Sequence, residues 1–346
     1  MLNLCYGKIN KPMKKLIKNW VHIPGLHCGS VALRDVITYH GYNLSEAMCF
    51  GIGGGLGFYY TVSEDISPTR MIFVRGPEME PTFFSLIDKP TSWRHEKDED
   101  KALETTKEWI DKDIPVLIQT DVRYLDYYNS STNFPGHVVS VWGYDDETQT
   151  VFLADTGFEG LQAVSYEKFK KGRSSKAPAN PLENNWIEVN LAKPIRSLGE
   201  VIPEALRQNA RKMIEGRRGG RGESGVSMIR LWAEDLPNWK DAPDWKWCAR
   251  FGYQVVKKRG VCGAGFRWLY RDFLTEAEEM LLPLRALRLS QKMDLIGNKW
   301  SNMSMILKEI SEKEKPDRKL LSLASDKANE LWESEQQFYR AVIEIQ

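Results

Sequence analysis

The 346-residue chain is poor in the residues that most often carry covalent and metal chemistry, with five cysteines and five histidines. The cysteines (Cys5, Cys28, Cys49, Cys248 and Cys262) are odd in number, widely scattered and lack a C-x-x-C pair. That pattern fits reduced thiols rather than a disulfide framework. No His-x-x-x-His or clustered Cys/His spacing exists, and His22 and His27 flanking Cys28 in one loop are a weak signal, so no metal site is expected. No apolar run approaches the roughly 18 residues that span a membrane. A basic patch near the start (Lys11, Lys14, Lys15, Lys18) is followed by no apolar stretch and no small-residue cleavage site. The chain is therefore expected to be cytoplasmic, without a membrane partner. An excess of one charge is missing too, since 48 basic residues meet 47 acidic ones for a net of +1. So balanced a chain is not expected to bind nucleic acid strongly. The cluster Gly51-Ile52-Gly53-Gly54-Gly55-Leu56-Gly57 is no phosphate loop, because it lacks the GK[ST] ending and stands between a helix and a strand. It reads as a tight turn with close backbone approach.

Apolar residues make up 42% and charged residues 27%, which excludes disorder, collagen and a coiled-coil rod for the whole chain. The length suggests two domains. The first two hundred residues alternate helical and strand signals. Val31–Tyr39 has helical spacing with Gly41 as a stop, and 98–112 reads as a helix inserted between strands. Short apolar runs at Phe58–Val62, Met71–Val74, Val116–Gln119, Val138–Gly143, Val151–Ala154 and Trp186–Val189 have strand length. Beyond residue 200 helical patterns dominate: 202–216, 226–236, 243–258, 265–290 with a break at Pro283, and 318–342. Arg217–Gly222 reads as a flexible basic link, a reading that outweighs an RGG-like nucleic-acid segment. The expected division is a domain at 13–198 and a mostly α-helical domain at 199–346. Residues 1–200 carry a net charge of −4 and residues 201–346 a net of +5.

Two positions stand out chemically. Cys28 sits where a loop meets a predicted helix, and the positive end of the helix dipole favours a thiolate there. A small buried cysteine at a helix start is the plainer alternative. His137 begins the strand Val138–Gly143, and Asp155 ends the strand Val151–Ala154. Pairing the two about residue 146 sets 137 opposite 155, 139 opposite 153 and 141 opposite 151. Facing residues of an antiparallel pair share a side, so carboxylate and imidazole would touch. A carboxylate on one ring nitrogen fixes the tautomer and leaves the other to act on a nucleophile. A polar pair at a sheet edge is the alternative, and a slip of one residue would part the two side chains.

The order Cys at a helix start, His at a strand start and Asp after the next strand resembles papain-like cysteine enzymes, notably the C39-like branch. The matching residues are Cys28-Gly29-Ser30, Gly136-His137-Val138-Val139 and Ala154-Asp155-Thr156. The chain resembles more specifically the family of butirosin biosynthesis protein H. That likeness rests on His27 through Arg34, Tyr39-His40-Gly41, Leu44-Ser45-Glu46, Phe50 through Phe58, and Asp121 through Tyr124-Leu125 to Tyr128. Gly260 through Arg267 and Asp272-Phe273-Leu274 extend it into the second half.

The resemblance implies an α+β fold, a papain-like domain with an antiparallel sheet followed by a helical domain. It also implies acyl transfer, since the named member moves an aminoacyl group from a carrier-protein thioester to an aminoglycoside amine. Carried over, Cys28 attacks the thioester and holds the acyl group, His137 moves the protons, and Asp155 orients His137. The backbone N–H of Cys28 is one oxyanion donor. His22 stands where papain-like enzymes usually place a glutamine, and is either the second donor or an ordinary loop histidine. Glu46, Asp121 and Tyr124 match family positions and would suit a cationic amine acceptor, with buried hydrogen bonding as the alternative. Phe266-Arg267 and Asp272 are open to the same two readings. No cofactor is expected beyond an acyl thioester co-substrate, phosphopantetheine-linked where the donor is a carrier protein. The partners expected are an acyl carrier protein or acyl-CoA donor and a small amine acceptor, with a homo-oligomer as a possible assembly. A cysteine peptidase or amidase with the same triad is the runner-up, and a scaffold on a retired protease fold comes third.

Overall fold

A computed structural model describes residues 13–178, 180–216, 218–219, 222–258 and 263–345. Cys5, Lys11, Arg217, Gly220, Arg221 and the stretch Gly260–Cys262 lie outside the described residues. The chain is mixed α/β with an antiparallel sheet and a helical C-terminal region. It forms two compact units, each assembled from separated segments.

The first unit takes Met1–Pro24, Asp35–Tyr42 and Ser92–Ala192. Its centre is a six-stranded sheet in the order Gln162–Ser165, Thr150–Ala154, Pro135–Asp145, Val116–Asp121 and Trp186–Glu188, with Lys14–Leu16 paired onto the far end of Pro135–Asp145. Every pairing is antiparallel. The central strands read as continuous apolar runs because they are buried along nearly their whole length: Val116, Leu117, Ile118, Val139 and Val141 are all solvent-inaccessible. The predicted inserted helix spans Glu99–Asp111 and begins where the Asp98 side chain accepts from the N–H groups of Asp100 and Lys101.

The expected register of the hairpin is corrected. Next to the turn, Asp145 pairs with Thr150 and Tyr144 with Val151; past a bulge at Trp142, Val141 pairs with Leu153 and Ser140 with Ala154. Continuing the turn-side register would set Asp155 opposite Ser140, on the face away from His137. The extra residue at Trp142 moves Asp155 opposite Val139 instead. His137 then becomes its diagonal neighbour on the same face, within side-chain reach. The pairing is displaced from expectation by an even number of residues at this end, which is why the two side chains still meet.

The second unit takes Gly25–Arg34, Asn43–Thr91 and Lys193–Gln346. It holds the hairpin Leu56–Val62/Arg70–Arg75 and the helices of the C-terminal region. Five helical stretches expected there are present as Leu198–Glu215, Val226–Asp235, Trp245–Tyr253 with a π-helical extension at Gln254–Lys258, Arg267–Met280 and Arg318–Ile343. Pro283 lies just past the break, at the start of Leu282–Arg285. One long helix, Leu289–Glu312, was not anticipated, as the pattern was expected to stop at 290. Its buried face (Met293, Ile296, Trp300, Met303, Leu307, Ile310) has helical spacing, but Gly297 and a scatter of Ser and Asn obscure it. The core includes Trp232 stacked on Trp300 at 5.9 Å, with Phe58 against both. The glycine cluster is explained by crowding. A Cβ on Gly51 would come within 2.1 Å of the Phe273 ring, and one on Gly57 within 2.7 Å of the Arg75 backbone.

Candidate active site

In the first unit, His137 Nε2 donates to Asp155 Oδ1 at 2.8 Å, with both residues buried. The Asp155 carboxylate is held from several sides. Tyr127 donates its hydroxyl to Oδ2 (2.8 Å), Tyr128 donates to Oδ1 (3.2 Å), and the Thr156 N–H donates to Oδ1 (2.7 Å). The Tyr128 hydroxyl also lies 3.3 Å from His137 Nε2. Burial works to raise the Asp155 carboxyl, but the His137 charge and these hydrogen bonds outweigh it and hold the group below its usual value. With Nε2–H committed to the carboxylate, the neutral ring carries its lone pair on Nδ1.

The two tyrosines had not been assigned this role from sequence. Tyr127 and Tyr128 belong to a single turn of 3-10 helix, Asp126–Tyr128. Their rings pack on each other and on Phe158. The signal was a pair of aromatic residues with polar tips a few positions before His137. Desolvation and the neighbouring Asp155 charge push the Tyr127 phenol well above its usual range, so it is a fixed donor.

His22 has both ring nitrogens engaged. Nδ1 lies 2.5 Å from Asp35 Oδ2, and Nε2 donates to the Phe158 carbonyl at 2.8 Å. It can donate to an oxyanion only by releasing one of these bonds. Asp121 is fully buried; its Oδ1 accepts from the N–H groups of Phe134 (2.7 Å) and Arg123 (3.1 Å), and its Oδ2 from the Ser175 hydroxyl (2.8 Å). Those bonds tie the end of Val116–Asp121 to the chain entering Pro135–Asp145. Tyr124, half-buried, closes the short 3-10 turn Val122–Tyr124 and packs its Cβ near Gly172.

Cys28 belongs to the second unit, as the first residue of the helix Cys28–Tyr39. His27 precedes it, and its Nδ1 accepts from the Ser30 N–H at 3.2 Å, an N-cap bond made by an imidazole. Glu46 anchors the approach. Its carboxylate accepts from the N–H groups of Leu26 (3.0 Å) and His27 (2.7 Å) and from the Ser30 hydroxyl (3.1 Å). The carboxylate for which the family resemblance implied an acceptor role makes a clamp on the loop that carries Cys28. Arg75, at the end of its strand, points Nη1 at the Cys28 Sγ from 3.8 Å. Glu80 lies against Gly29, where a Cβ would sit 2.0 Å from its Oε1. Arg267 is fully buried, donates to both Glu335 oxygens (2.8 and 3.1 Å) and to the Val74 carbonyl (3.1 Å), and covers the Trp300 ring. That is a structural ion pair. Asp272 is bonded to Arg271 on the surface.

Among the described residues no group of three or more His, Cys, Asp or Glu side chains is placed to hold a metal ion, and no helix is long and apolar enough to cross a membrane. Among the described residues the buried Cys28, Cys49 and Cys248 form no disulfide.

Two comparisons bear on this arrangement. Residues 27–156 match the family described as butirosin biosynthesis protein H, N-terminal. That span includes Cys28, Glu46, Asp121, Tyr124, His137 and Asp155, and leaves out His22. Residues 167–342 match a domain of unknown function (DUF4872). No curated protein matches the chain. With the N-terminal match spanning the thiol and the imidazole–carboxylate pair, and the second match covering the C-terminal helices, the chain belongs to the butirosin biosynthesis protein H-like family.

Proposed function

We propose that the chain is a cysteine-dependent acyltransferase of secondary metabolism that forms an amide through an acyl-Cys28 intermediate. The observation that carries this reading is the buried His137–Asp155 pair, whose geometry turns Nδ1 into a base of fixed tautomer. In the first half-reaction the Cys28 sulfur attacks the thioester carbonyl, and the carbon–sulfur bond to the donor breaks. His137 takes the Cys28 proton and returns it to the departing thiol. In the second, an amine attacks the acyl-enzyme while His137 accepts its proton, and Cys28 is released as the amide forms. The Cys28 N–H is the first oxyanion donor we assign. The donor is an acyl carrier protein or acyl-CoA, the acceptor a small amine, and the compartment the cytoplasm. The fold we assign to residues 13–198 is papain-like, with residues 199–346 as a helical domain; acceptor contacts at Glu46 or Asp121 would require them to exchange bonds they now make within the protein, and Tyr124 is the third contact we assign to the acceptor.

The test is the intact mass of the full chain after incubation with simple acyl thioesters, beside Cys28→Ala. A mass gain confined to the wild type is expected. Addition of candidate amines then separates transfer to amine from release to water, the outcome a peptidase or amidase would give. Normal alkylation of Cys28 with no adduct from any thioester would overturn the transferase reading.

A further inference from the structure

Within its own unit the thiol faces a guanidinium. Arg75 ends the strand Arg70–Arg75 and aims Nη1 at Cys28 Sγ from 3.8 Å. Its strand position is fixed from behind, because the preceding residue, Val74, is buried and gives its carbonyl to the fully buried Arg267. On the other side, Gly57 leaves no room for a side chain against the Arg75 backbone. A half-buried Arg75 beside a nearly inaccessible sulfur makes a charge–charge contact that solvent screens weakly.

The structure assigns Arg75 as the counter-ion of the Cys28 thiolate, so that the nucleophile is ionised by a guanidinium of its own unit rather than by the imidazole. The purpose of that ion pair rests on the reading of Cys28 as the acyl acceptor; its existence does not. Three further titratable groups contact the segment Leu26–Ser30 that carries the thiol within this unit. His27 caps the helix, Glu46 binds the backbone of the loop, and Glu80 comes in from the helix Met79–Leu86. Glu80 is the one that would compete for Arg75. Its burial pushes its carboxyl up, against the opposing pull of its own backbone N–H and of Arg75. A carboxyl that resists ionisation leaves the guanidinium charge to the sulfur. The helix start adds a smaller contribution of the same sign. In place of the proton exchange with Cys28 in the proposed first half-reaction, the Cys28 proton has already gone to solvent; His137 enters as the imidazolium, gives its proton to the leaving thiol and regains one from the incoming amine.

The experiment is the rate of iodoacetamide alkylation of Cys28 from pH 5 to pH 10, read by peptide mass in the full chain. It covers the wild type, Arg75→Met, Arg75→Lys, His137→Ala and Glu80→Gln. The wild-type midpoint is expected below the ~8.5 of a free thiol. Arg75→Met should raise it by about one unit, roughly a tenfold loss of rate at neutral pH. Arg75→Lys should recover part of that loss, and His137→Ala and Glu80→Gln should leave the midpoint within about half a unit. Should Arg75→Met fail to fold, Arg75→Lys carries the comparison, because a cation of different shape moves the midpoint only if this residue sets it. A midpoint unmoved by either Arg75 variant, or moved by His137→Ala alone, overturns the assignment. Alkylation uses no acyl donor, so a failed thioester experiment with an Arg75-dependent midpoint would sink the transferase and spare the ion pair.

Discussion

At the scale of the residue, the proposed chemistry depends on a carboxylate that has almost no remaining freedom. Asp155 accepts from His137, two tyrosines and a backbone N–H. Asp155→Asn would present an amide to the ring and favour the wrong tautomer. A loss of about 10³–10⁴ in turnover is expected, with alkylation of Cys28 retained. Tyr127→Phe removes one donor and is expected to cost about tenfold, read as the same drop in kcat. Asp155 also sets a pH dependence. Its carboxyl is held below the ordinary value, so its stabilising contribution is present above that value and is lost as pH falls through the depressed one. The melting-temperature gap between wild type and Asp155→Asn should therefore be largest near neutrality and shrink below about pH 4. At this scale the sequence was legible in type and not in partner. Rarity of Cys and His singled out Cys28 and His137, and the hairpin pairing added Asp155. Nothing in residue spacing could show that Glu46 is consumed by Leu26 and His27, because that depends on where a loop folds back.

At the scale of the element, most strands and helices were legible where burial was one-sided or complete, the helix Leu289–Glu312 excepted. The run Val138–Gly143 was recognisable because its strand is buried throughout, and the helix Glu99–Asp111 because a capping aspartate and an amphipathic face agree. Register was not legible. A bulge leaves no mark in composition, and Trp142 looks like any other aromatic in a strand. The short elements Lys14–Leu16 and Gln162–Ser165 escaped because they are mostly exposed and carry no apolar run, whereas the equally short Trp186–Glu188 is marked by its buried Trp186 and Ile187. The close approach at Gly57 gives an element-scale prediction. Gly57→Ala forces a Cβ to within 2.7–2.8 Å of the Arg75 backbone and must spread the hairpin. A loss of about 1–3 kcal/mol is expected in urea denaturation, with a raised Cys28 midpoint because Arg75 shifts with its strand.

At the scale of the whole molecule, the second unit is held together by a buried ion pair as well as by its aromatic core. Arg267 and Glu335 are both inaccessible, and Glu335 also accepts from the Trp300 indole at 2.5 Å. Replacing Glu335 with Leu strands a buried guanidinium; a loss of about 3–5 kcal/mol is expected in guanidinium denaturation. The helical character of this region was legible from periodicity alone. The partnership of Arg267 with the Val74 carbonyl, 193 positions away, was not. That long reach also has a consequence in time. The segments that carry Cys28 and Arg75 leave the ribosome early, whereas Arg267, Phe273 and Glu335, which complete their surroundings, are synthesised much later. At about 5–20 residues per second, the hairpin and the glycine cluster wait roughly 10–50 s for Glu335 to be made. During that interval a nascent chain presents Phe50, Phe58 and Val74 to water without the later helices of the unit in which they are finally buried.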